Sequence, residues 1–102
     1  MRKIHFTNKA LQDLEEIWNY SYNFWNEEQA DKYYRLLVEQ CNNITCGTKL
    51  HKINYSEVLE GLWGVKAQKH IIFYTVDACT EDIYIIRILH QRIDVKSHVK
   101  IG

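Results

Sequence analysis

The chain has 102 residues, of which 46% are hydrophobic and 13% aromatic, enough to bury one core but not two independent ones. Its thirteen Lys and Arg residues balance its thirteen Asp and Glu residues, and the formal net charge of zero disfavours direct nucleic-acid binding, which needs an excess of positive charge. No apolar run approaches the roughly 18 residues of a membrane-spanning helix, so we expect one soluble domain over residues 1–102 with no membrane partner.

The first half of the chain predicts a strand followed by two helices. Residues 3–6, KIHF, alternate polar and apolar side chains as a short strand does, and Thr7 can cap a following helix through its hydroxyl. Asn26, followed by two acidic residues and Gln29, predicts the start of a second helix. Because the connection near Trp25 and Asn26 is short, the two helices should form an antiparallel hairpin.

Each predicted helix carries one apolar stripe at spacings of three and four residues. The stripe of the first helix consists of Leu11, Leu14, Ile17, Trp18, Ser21 and Trp25. The stripe of the second helix consists of Ala30, Tyr33, Tyr34, Leu37, Cys41 and Ile44. We expect both tryptophans and both tyrosines to lie in the core. The acidic residues should lie on the solvated faces: Asp13, Glu15, Glu16, Glu27, Glu28 and Asp31.

The second half of the chain predicts three strands. Residues 48–61, TKLHKINYSEVLEG, are polar and aperiodic, and we expect no regular element there. The stretches GLWGVKA, KHIIFYTV and DIYIIRILH are rich in β-branched and aromatic residues, and their short connections predict hairpins rather than helical crossovers. The fold class is therefore α+β with the order βααβββ, and the helical hairpin should pack on one face of a small, mainly antiparallel sheet.

The last strand ends in RILHQRID, residues 87–94, which holds two arginines, a histidine and an aspartate. Alternation along a regular strand places Arg87 on the face of Ile85 and His90 on the opposite face, so the two cannot act together without a bulge. We expect Arg87 to bind a carboxylate or carbonyl within the fold. We expect His90 to make a structural hydrogen bond and Asp94 to cap a turn of the tail.

Both faces of this last strand are rich in isoleucine, which is typical of a central strand that is buried on both sides. Two helices can cover only one of these faces. The other should be covered by residues 95–102, by a second copy of the chain or by a separate protein, because a large apolar face is seldom left in water.

Four features occur together in this chain: the order βααβββ, the helical sequence ALQDLEEIWNYSYNFWNEEQADKYYRLL, the block EGLWGVKAQKHIIFY and the ending IIRILHQRIDV. Together they resemble the ParE branch of the RelE/ParE toxin superfamily, most specifically in HIIFY, residues 70–74, and in RILHQRID. The resemblance implies a cytoplasmic toxin of a type II toxin–antitoxin module. Such a toxin arrests growth by binding DNA gyrase without catalysis, and a cognate antitoxin neutralises it in a hetero-oligomer.

The resemblance leaves two alternatives open. RelE-type members of the superfamily cut messenger RNA on the ribosome, which requires basic residues near the reacting phosphate. The ParE pattern also usually carries an arginine where this chain has Trp63 and a glycine near Gln68, so a homologue that binds antitoxin but has lost toxicity is the other alternative. The residues predicted to bind target or antitoxin are Trp63, Lys66, Lys69, His70, Arg87, His90 and Arg92.

Cysteine usage and the N-terminal sequence bear on compartment and metal binding. The three cysteines form no CxxC pair, and MRKIHFTNKALQD contains no apolar segment like that of a signal peptide. We therefore expect reduced thiols in the cytoplasm. Cys41, Cys46 and His51 have a spacing that could suggest a metal site, but a fourth ligand is missing, so we expect no metal and no cofactor.

Overall fold

The structure, a computed structural model, describes residues 3–47 and 49–93. Two helices pack on one face of a five-stranded sheet of order β1-β5-β4-β3-β2. Strand β1 is parallel to β5, and all other neighbouring strands are antiparallel. The predicted fold class is confirmed. The elements are β1 (Ile4–Phe6), α1 (Asn8–Phe24), α2 (Glu27–Thr45), β2 (Lys52–Asn54), β3 (Trp63–Ala67), β4 (His70–Val76) and β5 (Ile83–His90).

Both helices begin at the predicted caps. The hydroxyl of Thr7 accepts a 3.1 Å hydrogen bond from the amide of Ala10 and donates one of 2.8 Å to the carbonyl of Ile86, which ties the start of α1 to β5. The side-chain oxygen of Asn26 accepts a 2.8 Å bond from the amide of Gln29. In the described part of the chain, neither helix has the length and apolar surface needed to cross a bilayer.

Strand β2 was not predicted, and the sequence carries little signal for it. All three of its residues are exposed, so its side chains show no alternation between a core face and a solvent face. The strand forms by pairing with β3, with Ile53 opposite Gly64. A Cβ atom at Gly64 would lie 2.5 Å from the ring of Tyr55, so a glycine is needed for Tyr55 to pack against β3.

The hydrophobic core of this single domain has two parts, one on each face of the shared sheet. The inner core lies between the helices and the sheet and includes Leu14, Leu37, Ile72 and Ile85. The outer core, on the opposite face, is built on Leu62, Phe73 and Leu89, with Tyr55, Val58, Leu59, Ile71, Ile86 and Ile93 packed against it. Residues 55–62 therefore contribute much of the cover that we expected from the tail or a partner. Residues 94–102, and with them the predictions for Asp94 and the tail, lie outside the described residues.

A bulge in β5 overturns the predicted alternation of its side chains. Tyr74 lies opposite Ile85 while Phe73 lies opposite Arg87, so β5 contains one extra residue, Ile86. Beyond it, Ile88 packs in the inner core together with Ile85. The prediction that placed Ile85 and His90 on opposite faces is wrong because it assumed a regular strand.

The predicted helical stripes are partly wrong. Leu11, Trp25 and Tyr34 were predicted in the core and are exposed. Trp18 is half-buried, and its indole N–H donates a 2.9 Å hydrogen bond to Asp31. In α1 the stripe is confirmed at Leu14 and Ser21, which are buried. Periodicity identifies the face of a helix but not how far the helix extends beyond the sheet that covers it.

Candidate functional site

The predicted site residues meet, in part, where β4 begins and β5 ends. His70 and His90 are cross-strand partners, and their rings meet edge to face with centroids 5.4 Å apart. Lys69 lies in the turn before β4, and Arg92 follows β5. We call this group the histidine cluster: Lys69, His70, His90, Arg92 and Tyr33 of α2, which joins it through the contacts below.

Tyr33 links the helical hairpin to this end of the sheet. Its hydroxyl oxygen accepts a 3.1 Å hydrogen bond from the amide of Lys69. The hydroxyl shares a second hydrogen bond, of 2.7 Å, with Nδ1 of His70, and its direction depends on which ring nitrogen carries the hydrogen. Tyr33 was expected in the core, and nothing in the helical periodicity distinguishes it from a packing residue.

The electrostatic environment keeps His70 neutral. Burial, with a smaller effect from His90, lowers the pKa of His70 to about 4, while the charge of Asp13 acts in the opposite direction. Burial likewise raises the pKa of the Tyr33 hydroxyl. At neutral pH the two side chains therefore share a hydrogen bond between uncharged groups.

His90 makes the structural hydrogen bond that the sequence predicts. Its Nδ1 accepts a 3.2 Å bond from the amide of Arg92, so the hydrogen of the neutral ring lies on Nε2. This bond holds the imidazole against the turn that follows β5. The side chain of Arg92 itself is exposed.

Arg87 has the carboxylate partner that we expected. Its Nε and Nη2 atoms donate hydrogen bonds of 2.8 and 2.9 Å to the two carboxylate oxygens of Asp13, which also accepts a 3.0 Å bond from the amide of Ile88. The bond to Asp13 raises the pKa of Arg87. The prediction that Asp13 is solvated is wrong because the residue is buried. Its position three residues after Ala10 was the available signal, since that spacing puts it on the buried face.

The remaining candidates lie apart from the histidine cluster. Trp63 is half-buried against the inner core, and the Lys52 ammonium lies 4.9 Å from the centroid of its ring. Lys66 is exposed between the buried Val65 and Ala67, so its side chain lies on the face away from the helices. Roles for Trp63 and Lys66 in binding stay predictions.

A shallow depression lies between α2 and the turn that joins β3 to β4. Its volume is about 210 Å³, below the roughly 300–1,000 Å³ of typical small-molecule sites. The side-chain amide of Gln40 closes part of it by donating a 3.1 Å hydrogen bond to the carbonyl of Lys66. Its lining residues are Leu36, Glu39, Gln40, Asn43, Lys66, Ala67 and Gln68.

Comparison with known families and proteins gives one consistent result. The model of the family described as "ParE toxin of type II toxin-antitoxin system, parDE" matches residues 4–95. Toxin ParE1 of Mycobacterium tuberculosis is 33% identical over 86 residues, which cover 84% of this chain and 86% of that protein. Toxin ParE1 of Caulobacter vibrioides is 29% identical over 99 residues, which cover 97% of this chain and 99% of that protein.

Solved structures share the fold at lower identity. The chromosomal ParDE system of P. aeruginosa contains a chain that superposes with a TM-score of 0.74 at 20% identity, covering 88% of this chain and 96% of that one. A chain of the RelBE2 toxin–antitoxin complex of Mycobacterium tuberculosis superposes with a TM-score of 0.63 at 15% identity. The match covers 88% of this chain and 98% of that one. Both ParE and RelE proteins thus have this fold, and the fold alone does not separate their activities.

Proposed function

Because this chain belongs to the ParE toxin family of type II toxin–antitoxin systems, we propose that it inhibits DNA gyrase by protein–protein binding and is neutralised by a cognate antitoxin. The observation that carries the proposal is the family match, which extends over residues 4–95. Gyrase inhibition is the role of that family. The function therefore requires a binding surface rather than a catalytic centre.

The contacts of the histidine cluster and of Arg87 support binding over RNA cleavage. Burial, with a smaller effect from His90, lowers the pKa of His70 and keeps the ring neutral. Two donor atoms of Arg87 are directed to the carboxylate of Asp13, so they are not directed to a phosphate. A RelE-type cleavage site requires cations placed around the phosphate in the transition state, and these contacts count against that alternative.

The antitoxin is the expected partner in the complex. Both structural neighbours belong to toxin–antitoxin systems. We propose that a segment of the antitoxin docks on this chain through apolar side chains and pairs with a sheet edge, as disordered segments commonly do. Strand β2 is such an edge, since within the described residues it pairs only with β3 and its three residues are exposed. Co-purification with the product of the adjacent reading frame tests this partnership.

Supercoiling of relaxed plasmid by purified gyrase tests the target. Inhibition should appear at micromolar toxin and should disappear when an equimolar amount of antitoxin is added first. Unchanged supercoiling over this range would remove gyrase as the target.

Two further assays separate the alternatives. New cuts in translated messages after induction, detected by mapping transcript ends, would support the RelE-type activity. Unimpaired growth during expression without antitoxin would instead support a homologue that has lost toxicity.

A further inference from the structure

The tip of the helical hairpin carries exposed aromatic side chains that the packing of the fold does not explain. We define the hairpin tip as residues 18–31. The exposed fractions are 61% for Tyr20, 66% for Phe24 and 72% for Trp25. Every residue from 22 to 29 is exposed, so this part of the hairpin stands clear of the sheet. Single exposed aromatic residues are common, but a group of them marks a surface that binds another molecule.

The aromatic rings of the tip are held in pairs. The rings of Tyr20 and Phe24 stack with centroids 4.5 Å apart, and those of Trp18 and Tyr22 stack at 5.3 Å. The hydrogen bond from the indole of Trp18 to Asp31 fixes the second pair against α2. Rings that are ordered before binding lose less conformational entropy when a partner packs on them.

The tip also has a strong charge bias within a neutral chain. Residues 18–31 contain three acidic residues, Glu27, Glu28 and Asp31, and no Lys or Arg. Asp31 accepts the hydrogen bond from the indole of Trp18, while Glu27 and Glu28 are exposed beside Trp25. A surface that combines carboxylates with exposed rings is complementary to a partner rich in Lys and Arg.

We propose that the hairpin tip is the surface by which this toxin contacts a positively charged, DNA-binding face of its target protein. The inference rests on the proposed function, in which the target handles DNA. DNA-binding faces carry Lys and Arg to neutralise phosphates. Those cations can pair with Glu27 and Glu28 and can lie on the faces of Phe24 and Trp25. Exposed aromatic residues at the centre of such a contact carry most of the binding energy.

The first test removes the aromatic side chains. The double substitution Phe24→Ser/Trp25→Ser in the full chain should weaken binding to purified, immobilised gyrase by about 10-fold or more. Val76→Ser/Tyr84→Ser is the matched control, because these side chains are exposed elsewhere on the molecule, at 42% and 37%. It should change affinity by less than about twofold. Thermal melting verifies that both variants fold, as expected for residues that bury little surface.

The second test reverses the charge. Glu27→Lys/Glu28→Lys should weaken gyrase binding by about 10-fold or more at low salt, and the difference should shrink near 0.5 M salt because screening weakens surface electrostatics. Glu57→Lys/Glu60→Lys is the control, since it makes the same charge change at exposed residues of another segment. Glu27→Gln/Glu28→Gln should give an intermediate loss.

The outcomes separate this inference from the proposed function. If the unaltered chain binds gyrase and both tip variants bind it equally well, the surface lies elsewhere and the inference is overturned while the function stands. If the tip variants lose affinity for the antitoxin and keep it for gyrase, the tip belongs to the antitoxin and the inference is again wrong. If the unaltered chain does not bind gyrase, the proposed target fails and the inference fails with it.

Discussion

Replacing Asp13 with alanine removes the carboxylate that joins α1 to β5 and should destabilise the fold strongly. The carboxylate accepts three hydrogen bonds of 2.8 to 3.0 Å, two from Arg87 and one from the amide of Ile88. The Asp13 side chain is 7% exposed and that of Arg87 15%, so water replaces little of what is lost. Breaking a buried pair of this kind costs about 3–5 kcal/mol, a large fraction of the roughly 5–15 kcal/mol that stabilises a domain.

Urea unfolding followed by tryptophan fluorescence measures this cost. Glu15→Ala is the matched control, since it removes an exposed carboxylate from the same helix and should cost less than about 0.5 kcal/mol. The double substitution Asp13→Leu/Arg87→Met should recover part of the lost stability, because an apolar pair avoids the desolvation of a lone buried charge but still leaves the amide of Ile88 without the Asp13 acceptor. If Asp13→Ala costs no more than Glu15→Ala, the structural role assigned to the pair is refuted.

Three further predictions concern a turn, an imidazole and the thiols. Gln68 has a φ of +58° at the first position of the turn between β3 and β4, where glycine is favoured. Gln68→Gly should therefore stabilise the fold by up to about 1 kcal/mol and raise the melting temperature. Gln68→Ala keeps the backbone strain and should leave the melting temperature no higher than that of the unaltered protein. The pKa of His70 is about 4 when folded and near ~6.5 when unfolded, so the unfolded chain binds the extra proton and stability should fall as the pH is lowered through this window. The full shift corresponds to about 3 kcal/mol, which partial exposure of the ring reduces to about 1–2 kcal/mol. In urea unfolding at pH 7 and pH 5, the free energy of unfolding of His70→Gln should change less with pH than that of the unaltered protein. An equally large change in both proteins would contradict the assignment. Burial raises the pKa of the Cys41 thiol to about 12, so this thiol should react with iodoacetamide only after unfolding. The exposed Cys46 and Cys79 should be labelled in the folded protein. Mass spectrometry of the labelled protein measures both results.

The sequence predicts most of the fold because the signals for its elements are local. Thr7 and Asn26 are caps whose side chains need only a few neighbouring residues to act. The three longer strands are identified by their β-branched and aromatic composition. Strand β2 is different, since its residues are exposed and it exists through pairing with β3.

The candidate site was harder to predict because it depends on long-range geometry. A carboxylate partner for Arg87 follows from the cost of burying a charge, but its identity as Asp13 requires knowing where α1 lies on β5. The bulge at Ile86 changed which side chains share a face, and local composition gave no sign of it. Trp25 was placed in the core by periodicity, although the sheet ends before it does. Its exposure, now the basis of the inference about the hairpin tip, is a tertiary property.

The central claim is that this ParE-family toxin acts on gyrase by binding, and trapped DNA breaks test it most directly. Gyrase, supercoiled plasmid and the purified chain are incubated together, the enzyme is denatured and digested, and linear DNA is measured. The account predicts linear DNA that increases with toxin, requires gyrase and is absent when antitoxin is added first. Linear DNA no higher than with gyrase alone, at toxin concentrations that arrest growth in cells, would contradict it.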